Sequence, residues 1–136
     1  MKYYYLNTDG DTWEKWVVNK MAFAGDYQDA VGKHSRLFKK LEPGDVLFAY
    51  RSGMGYVGIG IVDEKWDEEC HTGDQNFVNA TENIEYRIKV QWFRLKPSPR
   101  TAKSLGLPTT PYYYCEIDPD KYEVKERAAE LLKGNR

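Results

Sequence analysis

Residues 41–52, Leu41-Glu42-Pro43-Gly44-Asp45-Val46-Leu47-Phe48-Ala49-Tyr50-Arg51-Ser52, decide how the rest of the chain is read. Pro43-Gly44-Asp45 is turn chemistry: proline presets one backbone angle, glycine admits a positive one, and aspartate bonds to nearby backbone. Val46 to Tyr50 is then a nearly continuous apolar run of strand length. Tyr56-Val57-Gly58-Ile59-Gly60-Ile61-Val62 is a second, and the short segment Arg51 to Gly55 between them predicts an antiparallel hairpin. Gly58 and Gly60 fall on one face of the second strand, which implies a bulge, a sharp bend or a closely approaching backbone.

Upstream of this stretch, Lys33 to Leu41 places Leu37, Phe38 and Leu41 at helical spacing. Gly25 and Gly32 bracket a segment, 26–31, without a clear period. Asp11 precedes a further short helical pattern with Trp13, Trp16 and Val17 on one face, and Glu14 follows three residues later as in a capping box. Tyr3-Tyr4-Tyr5-Leu6 has the β-propensity of a first strand, ended by the turn-rich Asn7-Thr8-Asp9-Gly10.

Downstream, the acidic segment from Asp63 through about Asn83 reads as a long loop, a feature often tied to function. Tyr86 to Leu95 alternates, with Tyr86, Ile88, Val90 and Trp92 on one side and Arg87, Lys89 and Gln91 on a basic outer side. Pro97, Pro99 and Pro108 constrain the next loop, and Tyr112 to Ile117 is a last strand. Asp118 and Pro119 supply the N-cap and first position of a helix over about 119–133, packed through Tyr122, Ala128, Ala129 and Leu132 and stopped by Gly134.

The chain has 136 residues, without repeats or linkers, and reads as one domain over 1–136. Its 20 Lys and Arg against 21 Asp and Glu leave a net charge of −1, so nucleic-acid binding requires a local patch. Charge is uneven along the chain. Residues 63–85 carry 1 basic and 8 acidic side chains, whereas 86–108 carry 6 basic and none acidic. No apolar run has the length of a membrane span and the first residues lack a secretory pattern, so a cytoplasmic protein is expected.

Cys70 and Cys115 are too few for a disulfide scaffold, and Cys70-His71 lacks metal-ligand spacing. His34 and His71 are the only histidines, and there is no G-x-S-x-G elbow, Walker loop, dinucleotide fingerprint or H-E-x-x-H motif. Asp67, Glu68 and Glu69 read as a solvated acidic loop. No catalytic set, metal or cofactor is expected. What stands out is that 15% of the residues are aromatic, so either the core is aromatic or rings line a ligand site. Asn7-Thr8 at a strand end, Tyr50-Arg51-Ser52 at the hairpin, and Lys33, Arg36, Lys39 and Lys40 on the second helix form a set suited to a planar heterocycle and its phosphates. The alternative is a small barrel filled by rings and solvated by cations.

The 41–52 stretch, followed by Tyr56 to Val62, resembles the central signature of EVE domains: helix, Gly-Asp turn, apolar strand, polar hairpin and V-G-I strand. EVE domains belong to the PUA-like superfamily with the YTH readers of methyladenine. Tyr3 to Thr8 resembles the first strand of these families and Arg87 to Leu95 their penultimate long strand. The resemblance implies an α+β fold, a PUA-like bent β-barrel of about five to six mostly antiparallel strands flanked by short helices. A pocket at one end would accept a flipped, modified base between aromatic side chains. By this resemblance Asn7 and Thr8 contact the base or an adjacent phosphate, while Tyr50, Arg51 and Ser52 line the pocket. Phe23 and Tyr27 fall where the families place an aromatic wall and a tyrosine, and Trp66 or Phe77 closes the cage. Many relatives have Trp at the place of Phe23 and His at that of Arg51. Lys33, Arg36, Lys39, Arg87, Lys89 and Arg94 are the expected phosphate contacts.

The function implied is a non-catalytic reader of DNA or RNA carrying a modified, methylated base. It would serve a modification-dependent restriction system, with an effector as fusion or partner, or act as an RNA-associated domain. A small ASCH-like enzyme acting on a nucleoside derivative and a plain interaction domain are the alternatives.

Overall fold

The computed structural model describes residues 1–8, 10–26, 33–66, 72–73, 84–109 and 114–135. In chain order these form β1 (Tyr3–Thr8), α1 (Gly10–Asn19), β2 (Met21–Asp26), α2 (Lys33–Lys40), β3 (Val46–Arg51), β4 (Gly55–Val62) and β5 (Thr72–Gly73). Then come β6 (Ile84–Arg94), α3 (Ala102–Leu105), β7 (Tyr114–Glu116), α4 (Pro119–Tyr122) and α5 (Val124–Asn135). The strands run β2-β6-β4-β3-β1-β7 across one curled half-barrel sheet, with β5 paired to β6. This is the expected α+β class. No described helix is long and apolar enough to cross a membrane.

The two apolar runs pair antiparallel through their hairpin, as their lengths and turn predict. β1 lies parallel to β3, in register from Tyr3 with Val46 to Thr8 with Arg51. Parallel neighbours need a crossover, and the chain between them supplies α1, β2 and α2. Asp45 joins the two strand starts: its buried carboxylate accepts the backbone N–H of Lys2 and of Glu42, each at 2.9 Å. Gly44 beside it takes φ +94°, which favours glycine.

Strand alternation sorts the side chains into two cores. Tyr4, Leu6, Leu47 and Ala49 join a first cluster, covered by Trp13 and Trp16 of α1 and Leu37 and Phe38 of α2. Tyr3, Tyr5, Val46 and Phe48 join a second, covered by Leu105 of α3 and Val124, Ala128 and Leu131 of α5. Strands buried on both faces read as continuous apolar runs, which is why Val46 to Tyr50 shows no alternation.

Several expectations are corrected. β2, Met21–Asp26, occupies residues to which the sequence assigned no element; among the described residues it is an edge strand whose partners, Ile84 to Lys89 on β6, are far away in sequence, while the rest of the stretch without a period, 27–31, lies outside the described residues. β6 changes partner between Lys89, opposite Met21, and Val90, opposite Val62, so one strand serves two neighbours and curls the sheet. What approaches Gly58 and Gly60 is mainly tryptophan: an added Cβ would meet Trp13 Cη2 at 2.2 Å and Trp92 Cε3 at 2.6 Å. A bulge does occur one residue earlier, where the register moves from Ala49–Gly58 to Tyr50–Tyr56. Val57 becomes the extra residue, turning Tyr56 into the second core and itself into the first.

The C-terminal helix is two helices. Glu123 between them has φ +49°, and Gly134 lies inside α5 instead of stopping it. The buried stripe of α5 is Val124, Ala128 and Leu131, leaving Ala129 exposed. Asp118 caps α4 as expected, accepting the Asp120 N–H at 2.9 Å. α1 begins at Gly10, and the Glu14 carboxylate binds Arg94 of β6 in place of its own helix start.

Candidate functional site

The parallel register of β1 and β3 sets Asn7 beside Tyr50 and Thr8 beside Arg51 at one end of the sheet. Asn7 Nδ2 donates to Ser52 Oγ at 3.3 Å, and the Ser52 N–H donates to the Thr8 carbonyl at 3.2 Å. Asn7 Oδ1 is buried without a hydrogen-bond partner among the described residues. The Tyr50 ring belongs to the second core, 5.4 Å from Tyr5 and 5.0 Å from Tyr56 between centroids. The Tyr56 hydroxyl donates to the Pro108 carbonyl, and burial pushes its ionisation well above the ordinary phenol range.

Phe23 and Trp66 belong to the first core. The Phe23 ring meets Trp16 edge-on, and its carbonyl accepts the Trp16 Nε1–H at 3.0 Å. Trp16 in turn stacks on Trp92, with an interplanar angle of 8°. Trp66 leans on Tyr86 at 5.9 Å, and Lys39 Nζ stands 5.8 Å from its ring centroid. Trp66 is 9% exposed, yet its Nε1–H is buried with no hydrogen-bond partner among the described residues. A buried donor left unpaired costs about 1–3 kcal/mol, which an acceptor atom from a ligand or a water would recover.

Three expected walls are therefore not gathered into one cage. Phe23 stands opposite Arg87 and Ala24 opposite Tyr86, so Phe23 and Tyr86 point to opposite sides of the β2–β6 pair. Tyr50 is in the other core altogether. Tyr27, Phe77, Cys70, His71 and the side chains of Lys33 and His34 lie outside the described residues.

The expected cations divide as well. Arg36 and Lys39 are exposed on α2, Lys89 is exposed on β6, and Arg87 is half-buried. Arg94, an odd number of residues from Arg87, points to the opposite side, toward α1. Its guanidinium binds both Glu14 oxygens at 2.8 and 2.7 Å. The hydrogen bond from Arg94 holds the Glu14 carboxyl below its ordinary range.

No protein-family model matches the chain, and no curated protein matches it. Solved structures do. The YTH domain of Toxoplasma CPSF4, solved with a 7-mer m6A-modified RNA, is 12% identical with a TM-score of 0.62, covering 97% of this chain and 91% of its own. Protein Atu2648 from Agrobacterium tumefaciens is 14% identical with a TM-score of 0.56, covering 96% of this chain and 92% of its own. Rpa0253 from Rhodopseudomonas palustris is 18% identical with a TM-score of 0.52, covering 96% and 95%.

The fold is YTH-like. Within this YTH-like sheet, sequence reading passed over Tyr86, Trp13 and Glu14 as packing and capping residues. Tyr86 supports Trp66, Trp13 fills the space above Gly58, and Glu14 occupies Arg94. The parity that separates Arg94 from Arg87 was legible in their odd spacing.

Proposed function

We propose that this chain is a non-catalytic, EVE-type reader that accepts a flipped, modified base of DNA or RNA. The observation that supports it most is the YTH-like fold, shared over 97% of the chain with a domain solved on m6A-modified RNA. The base would stack beside Trp66 and Tyr86 in the first core, with the buried Trp66 Nε1–H as its hydrogen-bond donor. Arg36 and Lys39, exposed above that position on α2, would meet the flanking phosphates. Asn7, Thr8, Tyr50 and Ser52 would contact the strand at the other end of β1 and β3, while Phe23, with its ring and carbonyl engaged by Trp16, holds the wall from behind. A recognition module for a modification-dependent restriction effector and an RNA-associated domain are both uses of such a site.

The test is a binding series of paired oligonucleotides, m6A and other methylated or hydroxymethylated bases each against its plain control, in RNA and DNA. At least one modified strand should bind more tightly than its control. Trp66→Ala should remove stacking worth about 1–3 kcal/mol, roughly a 5- to 150-fold loss, mainly for the modified strand. Trp66→Phe keeps a ring and should retain part of the preference. Equal affinity of the wild-type protein for every modified and plain pair would overturn the proposal.

A further inference from the structure

A second charged cluster stands on the α1 side of the sheet. Arg51 lies against the first residue of α1, so close that a Cβ on Gly10 would be 2.5 Å from its Nη2. Arg51 is a half-buried residue, and among the described residues its guanidinium has no hydrogen-bond or ion-pair partner. β4 separates β3 from β6, and on β6 Arg94 stands opposite Gly58. The Trp13 ring occupies the space above Gly58. The next residue on α1 is Glu14, which grips Arg94 with both oxygens and also feels the charge of Arg51.

A guanidinium carries five N–H donors in a planar fork. Glu14 takes two of those on Arg94 and none on Arg51. A partly desolvated guanidinium without an acceptor is costly, and the acceptor its fork fits best is a carboxylate or a phosphate. Glu14 and Arg94 are 57% and 45% exposed, so water competes for their pair and an incoming anion displaces it at small cost.

We propose that Arg51 and Arg94 hold a backbone phosphate of the bound nucleic-acid strand, in competition with Glu14 as the internal anion. The partner rests on the reader proposal above, which this site deepens by giving the strand a second anchor and Arg51 a phosphate in place of a base. Phosphate contacts position a strand without reading its sequence, so this site contributes affinity and leaves discrimination to the base pocket.

Fluorescence-anisotropy titrations of a labelled single strand, modified and plain, over about 50–300 mM salt test the idea. Arg51→Gln should weaken both strands about tenfold and flatten the slope of log affinity against log salt by about 0.7 to 1, leaving the modified-to-plain ratio unchanged. Arg51→Lys should restore the slope and only part of the affinity. Glu14→Gln should tighten both strands about three- to tenfold, and the gain should vanish in the Glu14→Gln/Arg94→Gln double variant. Glu130→Gln, which frees Arg127 on α5, is the control that should tighten neither. Unchanged affinity and slope in Arg51→Gln, or an equal gain from Glu14→Gln and Glu130→Gln, overturns the phosphate site. Wild-type protein that binds modified and plain strands alike defeats the base-reader proposal, while the Arg51 and Glu14 effects on the plain strand still decide this one. Binding of neither strand defeats both.

Discussion

At Gly58 the fold admits a hydrogen and nothing larger, since an added Cβ would stand 2.2 Å from Trp13 Cη2 and 3.1 Å from the Phe93 carbonyl oxygen. A methyl group there must push the Trp13 ring or the β6 backbone aside. Gly58→Ala should therefore cost about 1–3 kcal/mol, read as a lower urea midpoint at unchanged slope. Gly134 is the internal comparison, because it lies in α5 with nothing within 4 Å of an added Cβ. Gly134→Ala should stabilise by about 0.5–1 kcal/mol through helix propensity. A Gly58→Ala variant as stable as wild type would remove Trp13 from its place over β4. Alternation alone marks Gly58 and Gly60 as sharing a face, but which group arrives there depends on α1 at Gly58 and on β6 at Gly60, both far away in sequence. The same holds for Arg51 and Arg94. Their charge is written in the sequence, and their partners are not.

Elements differ in how much of themselves they announce. The turn at Pro43–Asp45, the β3–β4 hairpin, α2 and the Asp118 cap all rest on residues adjacent in the chain, and each forms where the sequence places it. β2 carries no period of its own and exists through its pairing with β6. The final helix was legible as a helix, but its buried stripe was not, because the break at Glu123 resets the helical phase before Val124. Leu131 is 5% exposed in the second core, whereas Ala129 faces solvent. Leu131→Ala should cost about 2–5 kcal/mol and lower the melting temperature. Ala129→Ser should stay within about 0.5 kcal/mol of wild type. The reverse ranking would mean that α5 packs through the other stripe.

At the scale of the whole molecule, both cores contain phenols that must stay neutral for the sheet to stay covered. Burial, aided by Glu116, Asp45 and Glu42, pushes Tyr4 up to about 12, and burial, aided by Tyr50 and Cys115, pushes Tyr5 up to about 12. Tyr4 lies in the first core and Tyr5 in the second. An unfolded tyrosine ionises near about 10. A folded-state value above the unfolded one gives stability that is complete below about pH 10 and lost as pH rises toward about 12. Stability should thus be insensitive to these groups at neutral pH and fall steeply in that alkaline window. Ultraviolet titration should show the buried tyrosines ionising together with loss of the near-ultraviolet dichroism. Their ionisation near pH 10 in a protein that keeps its native dichroism would contradict the burial. The sequence by itself determined the fold class, the two-sided apolar strands, the hairpin and the presence of an aromatic, locally basic candidate surface. Periodicity, turn chemistry and caps act between residues close along the chain, so they are written there. Only the tertiary structure decided the parallel pairing of β1 with β3, the change of partner along β6, and the separation of Tyr50, packed on the second core, from Phe23 and Trp66 in the first. It also decided which cation is engaged: Glu14 and Arg94 are 80 residues apart, and what a guanidinium can bind depends on the neighbours that folding brings to it.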